Sequence, residues 1–205
     1  MNQFQISTNN YLTRPTKAFF HVPYTRMGTP GNPDYLNVLK NTFNDFPESK
    51  LQSAVLELRN VLCEDLFQIS ESLGFSAIVV CVVPRSKSEN SYHAKQQLFR
   101  TTVQAVIQQI SGFVDGTNYL HRQANTKTTH LRKEIPSYTN DGPDPYPGIT
   151  EKTCTISPHV RGKDILLIDD IYTPDVNIDE DAINSLLRAG AKTVTFYAIG
   201  KVERY

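Results

Sequence analysis

The spacing of apolar residues predicts helices and strands in alternation. Leu51, Val55, Leu58, Leu62, Leu66, Ile69 and Leu73 recur at intervals of three and four, which predicts an amphipathic helix stopped by Gly74. Residues 77–83 are a short run of Ala, Ile, Val and Cys, which predicts a buried strand. A polar loop at 85–90 follows Pro84, and then a helix from about 91 to 110 with Gly112 as its stop. Tyr119 and Leu120 predict another strand, and residues 153–156 a further one. Residues 164–169 predict a strand, residues 172–177 a polar loop, and a helix begins after it. Asn177 with Glu180 three residues on has the form of a capping box. Ile183, Leu186 and Leu187 give that helix its apolar face and Gly190 its cap, before a closing strand at 193–199.

This alternation predicts an α/β fold with a mainly parallel sheet flanked by helices, of Rossmann-like type. Residues 1–47 break the pattern. They are rich in Asn, Pro and Thr, with aromatics interleaved at Phe19, Phe20, Tyr24, Tyr35, Phe43 and Phe46. They are expected to form an irregular N-terminal arm that packs on an edge of the α/β domain, residues 48–205, or on another chain in a homo- or hetero-oligomer. Residues 122–147 are polar and Pro-rich, and a loop of that length in a compact domain is usually functional.

Composition narrows the picture only a little. The chain has 205 residues and zero formal net charge, so nothing global points to nucleic acid. Its three cysteines, Cys63, Cys81 and Cys154, show no metal spacing and suit a reducing cytosol. No apolar run is long enough to cross a membrane and no signal peptide is visible, so a cytoplasmic location is expected.

The chemistry concentrates at residues 164–180, DILLIDDIYTPDVNIDE. Ile165 to Ile168 suit a strand buried on both faces of a parallel sheet. Asp169 and Asp170 then fall at its carboxyl end, where open α/β sheets bind ligands. The loop behind them feeds a helix N-terminus, where free N–H groups favour a phosphate. Two carboxylates beside such a cradle would suit a ribose phosphate. Capping of a neighbouring helix is the other use of strand-end carboxylates.

The unit resembles the signature of the type I phosphoribosyltransferases: apolar strand, two acids, short loop, helix. The strand at 77–83 followed by Val83-Pro84-Arg85-Ser86 resembles the first core strand and pyrophosphate loop of that family, nearest its ComF-like, amidophosphoribosyltransferase-like branch. The segment Leu120 to Leu131, LHRQANTKTTHL, also resembles that branch, where an Arg and a Thr precede a long mobile loop over the site. The resemblance covers roughly residues 76–201. It implies that Asp169 and Asp170 hold the ribose hydroxyls of phosphoribosyl pyrophosphate (PRPP) and act in catalysis. It implies a 5-phosphate loop of Tyr172, Thr173, Pro174, Asp175, Val176 and Asn177. Pyrophosphate would lie on Arg85, Ser86, Lys87 and Ser88, a loop otherwise read as solvated surface. A mobile loop would carry Arg122, Lys127, His130, Arg132 and Lys133 over the site. Mg²⁺ would come with PRPP, with no metal ligand set supplied by the protein alone.

The signature loop departs from the family's Thr-Thr-Gly-Ala/Ser-Thr. Pro174 has no N–H to offer a phosphate, and Asp175 puts a negative charge where the family has glycine. Two functions are therefore expected. One is transfer of 5-phosphoribosyl from PRPP to a nitrogen nucleophile, releasing pyrophosphate. The alternative is a binding or regulatory subunit on the same fold, inactive or repurposed, for PRPP or a nucleotide. Divergent relatives suggest antiphage or mobile-element systems by analogy. Weak binding of PRPP itself follows from the altered loop.

Overall fold

The computed structural model describes residues 1–25, 28–129, 136 and 138–203. Among these residues eight strands and four α-helices follow one another as β1 (Asn2–Ile6), β2 (Thr16–Tyr24), α1 (Tyr35–Lys40), α2 (Glu48–Leu73), β3 (Ile78–Val82), α3 (Leu98–Ile107), β4 (Phe113–Asp115), β5 (Leu120–Arg122), β6 (Cys154–Ile156), β7 (Asp164–Tyr172), α4 (Ile178–Arg188) and β8 (Thr193–Val202). Six strands form one sheet in the order β1-β2-β8-β7-β3-β4, and β5 pairs with β6 apart from it. All pairs in the main sheet are parallel except β1 with β2. The expected α/β class with a mainly parallel sheet is what the chain adopts.

Strand alternation explains the continuous apolar runs. Ile165 and Leu167 of β7 face one core, and Leu166 and Ile168 face the other. Cys81 against Val80 and Phe196 against Tyr197 divide in the same way. The first core packs under α4 and the β5–β6 pair, and the second under α1, α2 and α3. Helices therefore cover both faces. The burial of Cys81 pushes its thiol up to about 12, as suits a small core residue.

The order of the strands creates the site. From β3 the chain crosses through α3 to β4 on one side, and β7 then pairs on the other side of β3. The loops leaving β3 and β7 diverge at their carboxyl ends and leave a crevice between them.

The first 47 residues are not an irregular arm. They supply β1, β2 and α1, and β2 lies alongside β8 with Ala18 opposite Phe196 and Val22 opposite Gly200. Ala18 and Phe19 are buried in the two cores, so one sheet joins the N-terminal segment to the rest. Pro23 obscures the strand in the sequence. It is tolerated because β1 pairs only with Thr16 to Phe20, leaving Pro23 beyond the ladder on that side.

Other boundaries also differ. The helix expected over 91–110 is α-helical only at Leu98–Ile107, behind short 3₁₀ turns at Glu89–Ser91 and Ala94–Gln96. β7 runs on to Tyr172, three residues past its expected end. The capping box at α4 is not formed. Glu180 instead accepts from the Tyr172 hydroxyl at 2.9 Å, and the Asn177 amide bonds Asp175 O and Asn9. Gly190 follows the capping residue Ala189 and takes φ +99°, the left-handed geometry that glycine adopts freely. Among the described residues no helix is long and apolar enough to cross a membrane.

Candidate functional site

A cleft of about 1360 Å³ opens at the carboxyl ends of β3 and β7. β7 brings Asp169 and Asp170 to it, and the turn after β3 brings Pro84, Arg85, Ser86 and Lys87. Lys40 of α1, Asp179 of α4, and the segment Asn125 to Thr129 complete the walls used below. The two acids and the loop after β3 thus share one cavity.

The acid pair carries partners of its own. Lys40 Nζ lies 3.2 Å from Asp170 Oδ1. Burial pulls the Lys40 ammonium down, but Asp170 and then Asp169 more than offset this, and its affinity for the proton rises. Asp169 Oδ1 accepts from the Asp170 amide at 2.8 Å. The Asp169 and Asp179 carboxyls are buried near one another, and each affects how tightly the other holds its proton. Burial, with the charge of Asp170, raises Asp169 to about 7. Burial beside Asp169 raises Asp179 well above the ordinary carboxyl range. Asp179 is 3 % exposed, and its Oδ1 has no hydrogen-bond partner.

The cations of the opposite wall are tied into the protein. Lys87, 7 % exposed, donates to Asp141 O and Asp141 Oδ1, both at 2.8 Å. Lys87 and Asn125 in turn hold the Asp141 carboxyl below its usual range. The Arg85 guanidinium donates to Gln96 O at 2.5 Å and stacks 4.3 Å from the Tyr92 ring centre. The Ser86 hydroxyl bonds that of Thr128 at 2.6 Å. Ser88 is not among the residues lining the cleft; its amide donates to Asn125.

Arg122 does not belong to a mobile loop. It is 2 % exposed and bridges Arg85 O at 2.6 Å and Gly148 O at 3.0 Å. Lys127 meets the exposed Asp144 at 3.0 Å. His130, Arg132 and Lys133 lie outside the described residues.

The residues expected to hold a 5-phosphate divide. Thr173 and Val176 line the cleft. Tyr172 is buried in β7 and bonds Glu180, so it is not part of the loop. Pro174, Asp175 and Asn177 are not among the lining residues. Asp175 takes φ +69°, a left-handed geometry that Asp tolerates better than most residues. The Val176 and Ile178 amides already donate to Thr173 O and Val176 O. The first turn of α4 holds Asp179, Glu180 and Asp181, all buried. Asp181 accepts from the Gly148 and Ile149 amides at 2.6 and 2.8 Å, which ties the 148–149 turn to α4. These carboxyls oppose a second anion at this helix end.

Mg²⁺, implied by the resemblance, finds no ready ligand set on the acid pair. Asp170 is engaged by Lys40, and Asp169 by the Asp170 amide. Among the described residues no group of three or more His, Cys, Asp or Glu side chains is arranged to hold a metal ion.

Sequence reasoning missed Lys40 and Asp179. Asp179 had a visible signal, three acids in succession behind the loop. Lys40 had none, because only folding carries α1 to the end of β7. The chain matches no model of a known protein family, and a search of curated proteins gives no match.

Proposed function

We propose that this protein binds a phosphorylated ribose compound, a nucleotide or PRPP, in the cleft between β3 and β7. In this reading it works as a binding or regulatory subunit built like a phosphoribosyltransferase. The carrying observation is the placement of Asp169 and Asp170 across one cleft from the Arg85–Lys87 turn, where the strand order reverses. The carboxylates would accept from the ribose hydroxyls, and the phosphate would lie toward Arg85, Lys87 and Arg122.

Regulation is favoured over transfer by the state of the polar groups. The loop amides bond within the loop, the α4 end is acidic, and Lys87 and Asp170 are paired inside the protein. A transferase needs preorganised groups aimed at the leaving pyrophosphate and the developing ribosyl cation. The transfer reading keeps one support, the gathering of Arg85, Lys87, Arg122 and Lys127 around the same cleft. If transfer does occur, the acid pair stabilises the anomeric carbon as its bond to pyrophosphate breaks.

Calorimetry with Mg²⁺–PRPP and a panel of nucleoside mono-, di- and triphosphates tests the proposal. A nucleotide should bind, and binding should vanish in the Asp169→Asn/Asp170→Asn variant. Pyrophosphate release from PRPP with any base would overturn the regulatory reading in favour of transfer. No binding by any member of the panel would end the ribose-site reading.

A further inference from the structure

We propose that Lys40 is the built-in cation of the acid pair. Its ammonium takes the place a divalent ion would take between these carboxylates and a ligand phosphate, so the cleft binds its ligand without a metal. This rests on the ribose-phosphate reading of the cleft and fixes how that site handles charge.

The observation is a lysine delivered from rigid structure. Lys40 ends α1, whose Leu36, Val38 and Leu39 are buried in the second core. The Tyr24 hydroxyl of β2 donates to Asn37 Oδ1 at 3.1 Å, one turn before Lys40. The next residue, Asn41, is 0 % exposed, and its side chain accepts from the amides of Asp45 and Phe46. Asn41 O accepts from Gln96 Nε2, and Gln96 O accepts from Arg85. The base of the Lys40 stem is therefore fixed to the same framework that holds the opposite wall.

The ammonium then meets Asp170 at 3.2 Å, with its side chain 28 % exposed, so it remains in reach of the cleft. A second cation placed on the pair would sit close to this first one and be repelled by it. Asp169 gives no relief, since its Oδ1 already accepts from the Asp170 amide. A phosphate entering the cleft instead finds a positive charge in place beside the ribose acceptors.

The test uses Mn²⁺ alone, followed by the paramagnetic resonance signal of the free ion, so it needs no nucleotide. A negative nucleotide panel and a failed Mn²⁺ result are thus separate outcomes. Wild type and Lys40→Arg should bind Mn²⁺ no differently from their Asp170→Asn derivatives. Lys40→Met and Lys40→Gln should bind it at least ~10-fold more tightly, because a repelling charge is gone. Adding Asp170→Asn should remove that gain. Two outcomes overturn the proposal. One is wild-type protein that binds Mn²⁺ through Asp170 as tightly as the neutral variants do. The other is a folded Lys40→Met or Lys40→Gln protein with no gain. The wild-type measurement stands whether or not either variant folds.

Discussion

Arg122 joins the two sides of the cleft framework. Its Nε donates to Arg85 O at 2.6 Å while its Nη1 donates to Gly148 O. Gly148 is itself held by Asp181 of α4, so one buried guanidinium connects the turn after β3 to the helix after β7. Replacing Arg122 by Met should leave Arg85 O without its donor, while Gly148 O keeps the Thr153 hydroxyl, and cost about 1–3 kcal/mol. Lysine, a point charge, cannot span both and should restore less than half. Urea unfolding of the three proteins checks this.

Acid should strengthen the fold around Asp169 and Asp179. Both carboxyls hold their protons more tightly in the folded chain than in the unfolded one, Asp169 up to about 7. Their contribution is fully present below the unfolded carboxyl range and is lost as pH rises through neutrality. Glu180 and Asp181, raised mainly by burial, act in the same direction. Asp179→Asn should flatten the slope and gain roughly 1–3 kcal/mol relative to wild type at pH 7.5, and less at pH 4. Unfolding midpoints at the two pH values give the answer.

The Tyr197 hydroxyl donates to Asp65 Oδ2 at 2.7 Å, and His21 Nδ1 lies 3.0 Å from the same oxygen. Asp65 is 0 % exposed and its Oδ1 has no partner, so loss of either contact leaves a poorly satisfied buried carboxyl. Tyr197→Phe should cost about 1–3 kcal/mol. Exchange of both groups, as Tyr197→Phe with Asp65→Leu, should cost less than the sum of the two singles. A double-mutant cycle in urea reads this.

Removing residues 1–47 should cost solubility. The deletion strips β2 from β8 and leaves a long apolar edge strand open to other chains. It also takes Phe19, Leu36 and Leu39 out of the second core. Size-exclusion chromatography should show aggregates where the full chain gives a single species. A truncated chain that stays soluble with unchanged melting would contradict the role of β2.

Pro174→Thr with Asp175→Gly should change PRPP binding by less than ~3-fold, because neither residue lines the cleft. Binding should still be weak, because Asp179, Glu180 and Asp181 stay buried at the head of α4. Calorimetry with Mg²⁺–PRPP compares the two proteins.

Sequence alone determined the strands expected at 77–83 and 164–169, the long helix before them, and the acids at the strand's end. Their signals are local, since unbroken apolar runs and three-four spacing arise from the period of the element itself. The sequence did not disclose β2, where a proline and scattered polar residues hide a strand that exists only because β1 and β8 flank it. Nor did it disclose how the cleft is charged. Arg85, Lys87 and Arg122 read as free cations along the chain, yet the fold spends their donors on Gln96, Asp141, Arg85 and Gly148. Lys40 lies 130 residues from Asp170 and reaches it only because β2 adds to the sheet and positions α1. Charge pairing and proton affinity depend on distance and burial. Only the tertiary structure sets those, and so it alone decided what the acid pair can hold.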